Sequence, residues 1–292
     1  SMTMVTMAKT LTWQGEHLYI SSGTTCEVMT PASDVARFFE TEDVSVLSPD
    51  GALLAFRDLD HIVRVRAVAT SGRQWQAGGV LFSCQKLSDE PILGYAWSSD
   101  GKLLAVQQKT TTSTYQIKSG WQSRQGQQKA TYRPEHPSPV YRPMAFSPNG
   151  TRIAQAIHSG VALWDALSGR LIRTIGQGKV ESIAWDATGT YLALGKSDST
   201  FSVHAMRGRL LVEQTGHTAA VSALAWSPDG DRLISGDTHG NLHVWVIEED
   251  EWIVSLLKNL EAMAAGIEAF AWSPDERQFA VLDTLQLDIF DF

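Results

Sequence analysis

Val221-Ser222-Ala223-Leu224-Ala225-Trp226-Ser227-Pro228-Asp229-Gly230, followed by Arg232-Leu233-Ile234-Ser235-Gly236, is the stretch that decides the fold. Two short apolar runs flank a turn with explicit chemistry. Proline pre-sets φ at the second turn position, and glycine accepts the positive φ that closes the turn. The first run is apolar on both strand faces, as expected of a strand covered on each side by a neighbouring sheet. Asn241-Leu242-His243-Val244-Trp245-Val246 alternates and reads as a third strand, and Arg209-Leu210-Leu211-Val212-Glu213-Gln214 shows the form of a fourth.

The phrase recurs. Its other copies are Val46-Leu47-Ser48-Pro49-Asp50-Gly51, Ala96-Trp97-Ser98-Ser99-Asp100-Gly101, Ala145-Phe146-Ser147-Pro148-Asn149-Gly150, Ala184-Trp185-Asp186-Ala187-Thr188-Gly189 and Ala271-Trp272-Ser273-Pro274-Asp275-Glu276. From Ser48 the successive offsets are 50, 49, 39, 41 and 46 residues. A degraded copy, Leu11-Thr12-Trp13-Gln14-Gly15, precedes them. A second marker, Ser71-Gly72, Ser119-Gly120, Ser168-Gly169 and Arg207-Gly208, keeps step with the first. Seven units in 292 residues average about 42 residues each, the length of a blade of four short strands.

The fourth unit carries Trp164-Asp165, and Gly216-His217 stands ahead of Val221. With the turns above, these motifs resemble the WD-repeat family of β-propellers over nearly the whole chain. The resemblance implies an all-β fold: a seven-bladed β-propeller of four-stranded antiparallel blades. The blades fall at about 8–40, 41–88, 89–135, 136–176, 177–216, 217–262 and 263–292 in a single domain. The last run, Leu287 to Phe292, matches a third strand, so the ring is expected to close by an N-terminal strand within residues 2–7 pairing with the last blade, or else to leave that blade three-stranded. Trp245, Phe290 and His204 occupy the aromatic position of Trp164 in other units, and Arg66 replaces it in the second. The family's turn aspartate falls on Asp60 and Asp198. In the sixth unit His239 takes its place, so the Asp-His-Ser-Trp hydrogen-bond network is expected to be incomplete there, with only His217, Ser235 and Trp245 matching. Trp97, Trp185, Trp226 and Trp272 are expected between blades.

Composition fits a packed protein: 43% hydrophobic and 19% charged residues. The net charge of −8 lacks the basic excess that nucleic acid or an anionic membrane requires, and no apolar run is long enough to span a bilayer. Ser1-Met2 reads as a cloning remnant, and the N-terminus does not read as a secretory signal. Two cysteines, Cys26 and Cys84, are too few for a disulfide scaffold and read as free thiols in a reducing compartment, hence a cytoplasmic protein, monomeric in isolation.

Catalytic motifs are not evident. Gly195-Lys196-Ser197 imitates the end of a phosphate loop, but Thr190 stands where that loop needs glycine and no helix follows. No metal or cofactor is expected from the eight histidines. Glu248-Glu249-Asp250-Glu251 reads as a solvated hairpin tip or a dock for a basic partner. Trp75 and Trp121 read as packing on fourth strands or as an exposed aromatic patch, and Leu256 to Ala265 as a long connection with one helical turn.

The resemblance implies that partners bind the face formed by loops leading into first strands and loops joining second to third strands. Carried over by position, the candidate contacts are Arg57, Asp58, Tyr141, Arg142, His158, Lys179, Lys196, Asp237, His239 and Asp283. The expected function is a non-catalytic protein-interaction module, one version of it the sensor domain of a larger signalling protein, that holds a partner peptide or domain around the central channel. The alternative is a propeller enzyme or ligand binder with an axial site.

Overall fold

The computed structural model describes residues 9–14, 17–22, 25–29, 35–40, 45–58, 60, 62–71, 74–83, 90–117, 127–133, 140–248, 253–260, 263 and 265–292. Among them every helix or strand is a strand, and the strands form seven antiparallel sheets in chain order. Sheet 1 holds β1 Lys9–Gln14, β2 His17–Ser22, β3 Thr25–Met29 and β4 Val35–Glu40. Sheet 2 holds β5 Ser45–Leu47, β6 Leu53–Arg57, β7 Val63–Ser71 and β8 Gln74–Ser83, and sheet 3 holds β9 Ile92–Trp97, β10 Leu103–Gln108, β11 Thr112–Gln116 and β12 Gln127–Tyr132. Sheet 4 is β13 Met144–Phe146, β14 Arg152–Ala156, β15 Val161–Asp165 and β16 Leu171–Ile175; sheet 5 is β17 Val180–Trp185, β18 Tyr191–Lys196, β19 Phe201–Ala205 and β20 Leu210–Gln214. Sheet 6 is β21 Val221–Trp226, β22 Arg232–Asp237, β23 Leu242–Glu248 and β24 Ile253–Leu260. Sheet 7 has three strands among the described residues: β25 Ile267–Trp272, β26 Gln278–Asp283 and β27 Leu287–Asp291. The closing strand expected within residues 2–7 lies outside the described residues, as do Trp121 and the side chain of Trp75.

The chain divides into two compact units, residues 1–142 with 149–151 and 165–170, and residues 143–148, 152–164 and 171–292. In the first, sheets 1 and 2 share a core of Tyr19, Cys26, Leu47, Leu54 and Phe56, and Val65 of sheet 2 packs with Tyr95 and Trp97 of sheet 3. In the second, Leu163 and Ile175 of sheet 4 pack with Leu192 and Leu194 of sheet 5. Phe201 and Val203 of sheet 5 pack with Trp226 and Trp245 of sheet 6, and Ile234 and Val244 of sheet 6 with Phe270 and Trp272 of sheet 7. Among the described residues these apolar side chains are buried between consecutive sheets of each unit.

A directional bond fixes that stacking. The indole Nε1 of Trp185 donates to the Ala145 carbonyl at 3.2 Å, Trp226 to Ala184 at 3.3 Å and Trp272 to Ala225 at 3.4 Å. Each acceptor alanine immediately precedes the aromatic of the preceding sheet, so one sequence phrase supplies both donor and acceptor of the joint. Trp97 is buried in the same way, with its Nε1 unpartnered among the described residues.

The repeated turns explain their own sequence. In Ser-Pro-Asp-Gly the serine hydroxyl donates to the aspartate (Ser227 to Asp229 at 2.5 Å, Ser273 to Asp275 at 2.7 Å) and accepts the amide of the next strand's first residue (Arg232 at 3.0 Å, Gln278 at 3.0 Å). The fourth turn residue then folds back onto the serine carbonyl in the left-handed region. Gly230 does so at φ 84°, and Glu276 occupies the same place at φ 62°. A side chain is strained there, where glycine is not.

One sequence reading changes. Leu256–Leu260 is part of β24, not a connection with a helical turn. The register of β23 and β24 shifts between Val244 and Trp245, which pair with Lys258 and Leu256. Leu257 is the extra residue of that bulge, and a bulge breaks the two-residue alternation by which a strand is read. The run Glu248–Glu251 lies at the β23–β24 connection, of which 249–252 fall outside the described residues.

Trp226→Ala is expected to lower the free energy of unfolding by about 3–5 kcal/mol, measured by denaturant titration; an unchanged midpoint would remove the tryptophan from the core. Glu276→Gly is expected to raise the denaturation midpoint, because it relieves the left-handed strain and the repulsion between Glu276 and Asp229.

Candidate functional site

The candidate residues lie where second strands turn into third strands or where chain leads into a first strand. In six turns the amide of the residue ending or following the second strand donates across the turn, spanning four residues in three of them and three residues in the other three. The pairs are Asp58 to Ile62, Gln108 to Thr111, Ile157 to Gly160, Lys196 to Thr200, Asp237 to Asn241 and Asp283 to Gln286. Sequence reasoning treated several of these residues as partner contacts without registering that they are one structural position.

Three of them spend their carboxylates on their own turns. Asp58 Oδ1 accepts the amides of Asp60 (3.1 Å) and Ile62 (2.9 Å), and Arg64 Nε bonds its other oxygen. Asp237 Oδ1 accepts the amides of His239 and Asn241, each at 2.9 Å. Asp283 Oδ1 accepts those of Leu285 and Gln286, each at 2.7 Å. Asp237 and Asp283 are fully buried, and Arg57 and Lys196 nearly so; Lys196 extends to Glu213 of β20. His158, Lys179 and His239 are exposed, while Asp58, Tyr141 and Arg142 are half-buried. The Arg142 amide donates to Gln107 Oε1 at 3.2 Å, and burial lowers the pKa of its guanidinium.

Asp237 also corrects the expectation of an incomplete network in sheet 6. Its Oδ2 lies 3.2 Å from His217 Nδ1, His217 Nε2 lies 2.5 Å from Ser235 Oγ, and Trp245 Nε1 donates to Ser235 Oγ at 2.7 Å. The carboxylate comes from two residues before His239, so all four members are present. An ionised carboxylate only accepts, so His217 carries its proton on Nδ1 and Ser235 donates to Nε2. His243 stacks on His217 with ring centroids 4.3 Å apart. Burial, aided by His243, pushes the His217 pKa down to about 4 despite the opposing carboxylate. The imidazole is therefore neutral, and its contact with Asp237 is a charge-assisted hydrogen bond, not an ion pair. Burial alone would raise the Asp237 carboxyl, but the bonds from Asn241 and the turn amides hold it below its usual range.

Sheet 5 rebuilds the same positions without the network. Gly176, Leu194, Lys196 and His204 stand where His217, Ser235, Asp237 and Trp245 stand in sheet 6. His204 turns to Ser202 at 3.0 Å, and burial, aided by Lys196, pushes its pKa down to about 4.

Backbone bonds tie the exposed turns together in the second unit. The Gly160 amide donates to the Gly178 carbonyl at 2.8 Å, Gly178 to Ser159 Oγ at 3.1 Å, and Ser197 to the Lys179 carbonyl at 3.0 Å. Gly160 is at φ 80°, and a Cβ there would stand 2.6 Å from the carbonyl oxygens of Ile175 and Gly176. His158 and Lys179 are thus displayed on a rigid frame. Thr238 bonds the Ala220 carbonyl and Met263 the Gly240 carbonyl, which frames His239 in the same manner. Among the described residues no three His, Cys, Asp or Glu side chains converge as metal ligands, and no helix is long and apolar enough to cross a membrane.

Residues 208–246 match the family model described as WD domain, G-beta repeat. A chain in the crystal structure of the mitotic checkpoint complex superposes on 98% of this chain and 87% of its own length, with a TM-score of 0.77 and 16% identity. The fold is that of a seven-bladed β-propeller, with one WD repeat matched at residues 208–246. The matched repeat runs from the outer strand β20 of one blade through β23 of the next, so sequence repeat and sheet are offset by one strand. Cell division cycle 20.1, cofactor of APC complex, of Arabidopsis thaliana is 31% identical over 137 residues, 44% of this chain and 30% of that protein. The B-type cell cycle switch protein ccs52B of Medicago truncatula is 28% identical over 47% of this chain and 28% of its own length. The anaphase-promoting complex subunit cdc20 of Dictyostelium discoideum is 24% identical over 53% of this chain and 31% of its own. The matched part of the propeller is less than a third of each relative's length.

Acid is expected to destabilise the propeller. An unfolded histidine takes up a proton near pH 6.5, whereas folded His217 and His204 resist protonation until about pH 4. The unfolded state therefore binds more protons in that interval, and stability falls as pH drops from about 6.5 to 4. Denaturant titrations across this range are expected to show that decline, with a shallower slope in His217→Asn; an equal slope would mean that His217 does not stay neutral in the fold.

Proposed function

We propose that this propeller is a non-catalytic interaction module, a subunit or cofactor of a larger protein assembly that holds a peptide or domain of a partner on its turn face. The observation that carries the reading is the division of labour among the turn residues. Asp58, Asp237 and Asp283 hold their turns with their carboxylates, whereas His158, Lys179 and His239 stand exposed on a backbone-bonded frame, Lys179 with its ammonium on Glu181 at 2.6 Å. A rigid frame presenting exposed side chains suits recognition, because little ordering cost accompanies binding. The relatives named as a cofactor of the APC complex and an anaphase-promoting complex subunit support the assembly role.

Within this proposal His158, Lys179 and His239 are the primary contacts, all in the second compact unit. Arg57 and Lys196, largely buried, position neighbouring turns. The partner is a protein; a site for nucleic acid or membrane is not part of the proposal, and the protein acts in the cytoplasm.

Chemical crosslinking with affinity capture from the source organism tests this reading. The Lys179→Glu, His239→Ala double variant is expected to lose partners that the wild type retains, with an unchanged melting temperature. Recovery of the same partners by both proteins would place the docking surface elsewhere.

A further inference from the structure

A second surface lies where the outer strands of sheets 4 and 5 face each other. Arg173 of β16 pairs with Leu163, whose side chain packs on Leu192 and Leu194 of sheet 5. Cross-strand partners share a face, so Arg173 points toward sheet 5. Leu210 of β20 pairs with His204, and the ring of His204 approaches Gly176 at the end of sheet 4, so Leu210 points back toward sheet 4. The two residues enter the same gap from opposite walls.

The gap is basic and pre-shaped. Arg173 Nη1 donates to the Arg207 carbonyl, and its side chain packs over Gly208, which turns the chain at φ 87°. Arg207 and Arg209 flank that glycine, and all three guanidinium side chains are exposed. None has an acidic partner within ion-pairing distance among the described residues; Glu213, farther along β20, is engaged by Lys196. Three like charges are thus gathered in a chain whose net charge is −8, and one is anchored by a backbone carbonyl that leaves its charge uncompensated. Leu210 is 49% exposed at the gap. β20 is the outermost strand of sheet 5, so its outer backbone groups have no ladder partner in that sheet.

We propose that this gap docks an extended acidic segment of a partner protein, with carboxylates on Arg173, Arg207 and Arg209, an apolar side chain on Leu210, and main-chain pairing along β20. Arginine forks suit bidentate carboxylates, and an exposed edge strand accepts an added strand. A polypeptide fits better than a nucleic acid. The basic region is short and bordered by an exposed leucine, and beyond it the acidic chain repels a long polyanion.

The test is fluorescence anisotropy with a labelled peptide of alternating glutamate with valine or leucine, at about 50 mM salt. The wild type is expected to bind it saturably and to ignore the lysine counterpart. Arg207→Ala with Arg209→Ala, both in an exposed turn, is expected to weaken binding at least about tenfold with the melting temperature unchanged. Lys179→Glu with His239→Ala, on the turn face, is expected to leave binding intact. Failure to bind at about 1 mM peptide, or equal affinity in the arginine variant, would overturn the proposal. So would tighter binding of a single-stranded oligonucleotide of equal charge that the arginine variant abolishes.

Discussion

The indole-to-carbonyl bond between consecutive sheets is the constraint on which the second compact unit depends. A four-stranded sheet with apolar faces on both sides has no stable existence alone, because each face must be covered by a neighbour. Dispersion and apolar burial supply the attraction but not the register. Trp185, Trp226 and Trp272 supply it, each reaching the alanine carbonyl one residue before the equivalent aromatic of the preceding sheet. Alanine at that position leaves the carbonyl within reach. The repeat is therefore a joint as much as a strand, and its small residue is as necessary as its large one.

Between these joints, the turns divide structural from presenting roles at single-residue resolution. Carboxylates with the right reach close the turn on themselves, as Asp58, Asp237 and Asp283 do. Asp237 does more, since its second oxygen begins the relay through His217 and Ser235 to Trp245 that braces β22 against β23. Sheet 5, with glycine, leucine and lysine at the corresponding places, is held instead by Lys196 reaching Glu213. Repeats that share a fold thus differ in which polar contacts hold them.

Much of this was legible in the chain. The seven phrases, their spacing and their turn residues are local chemistry, and with the resemblance they carry they were sufficient for the all-β class, the blade number and the inter-sheet tryptophans. The candidate site was legible as positions but not as roles. Alignment to a motif placed the network's carboxylate at His239 and so missed Asp237, because a motif counts residues along the chain whereas a hydrogen bond depends on the path of the turn. The second half of β24, from Leu256, was read as a connection for a related reason: the bulge at Leu257 interrupts the alternation on which strand recognition rests.

The sequence by itself determined the secondary structure and the turn chemistry, since proline, glycine, serine and aspartate act within a few residues of themselves. Tertiary structure alone decided which charged groups are buried, which carboxylates are consumed, and where three arginines from two sheets gather. These depend on the meeting of side chains 20 to 40 residues apart, as in His217 with Asp237 and Arg173 with Arg207. No local preference encodes such a meeting; it exists only once the sheets have stacked.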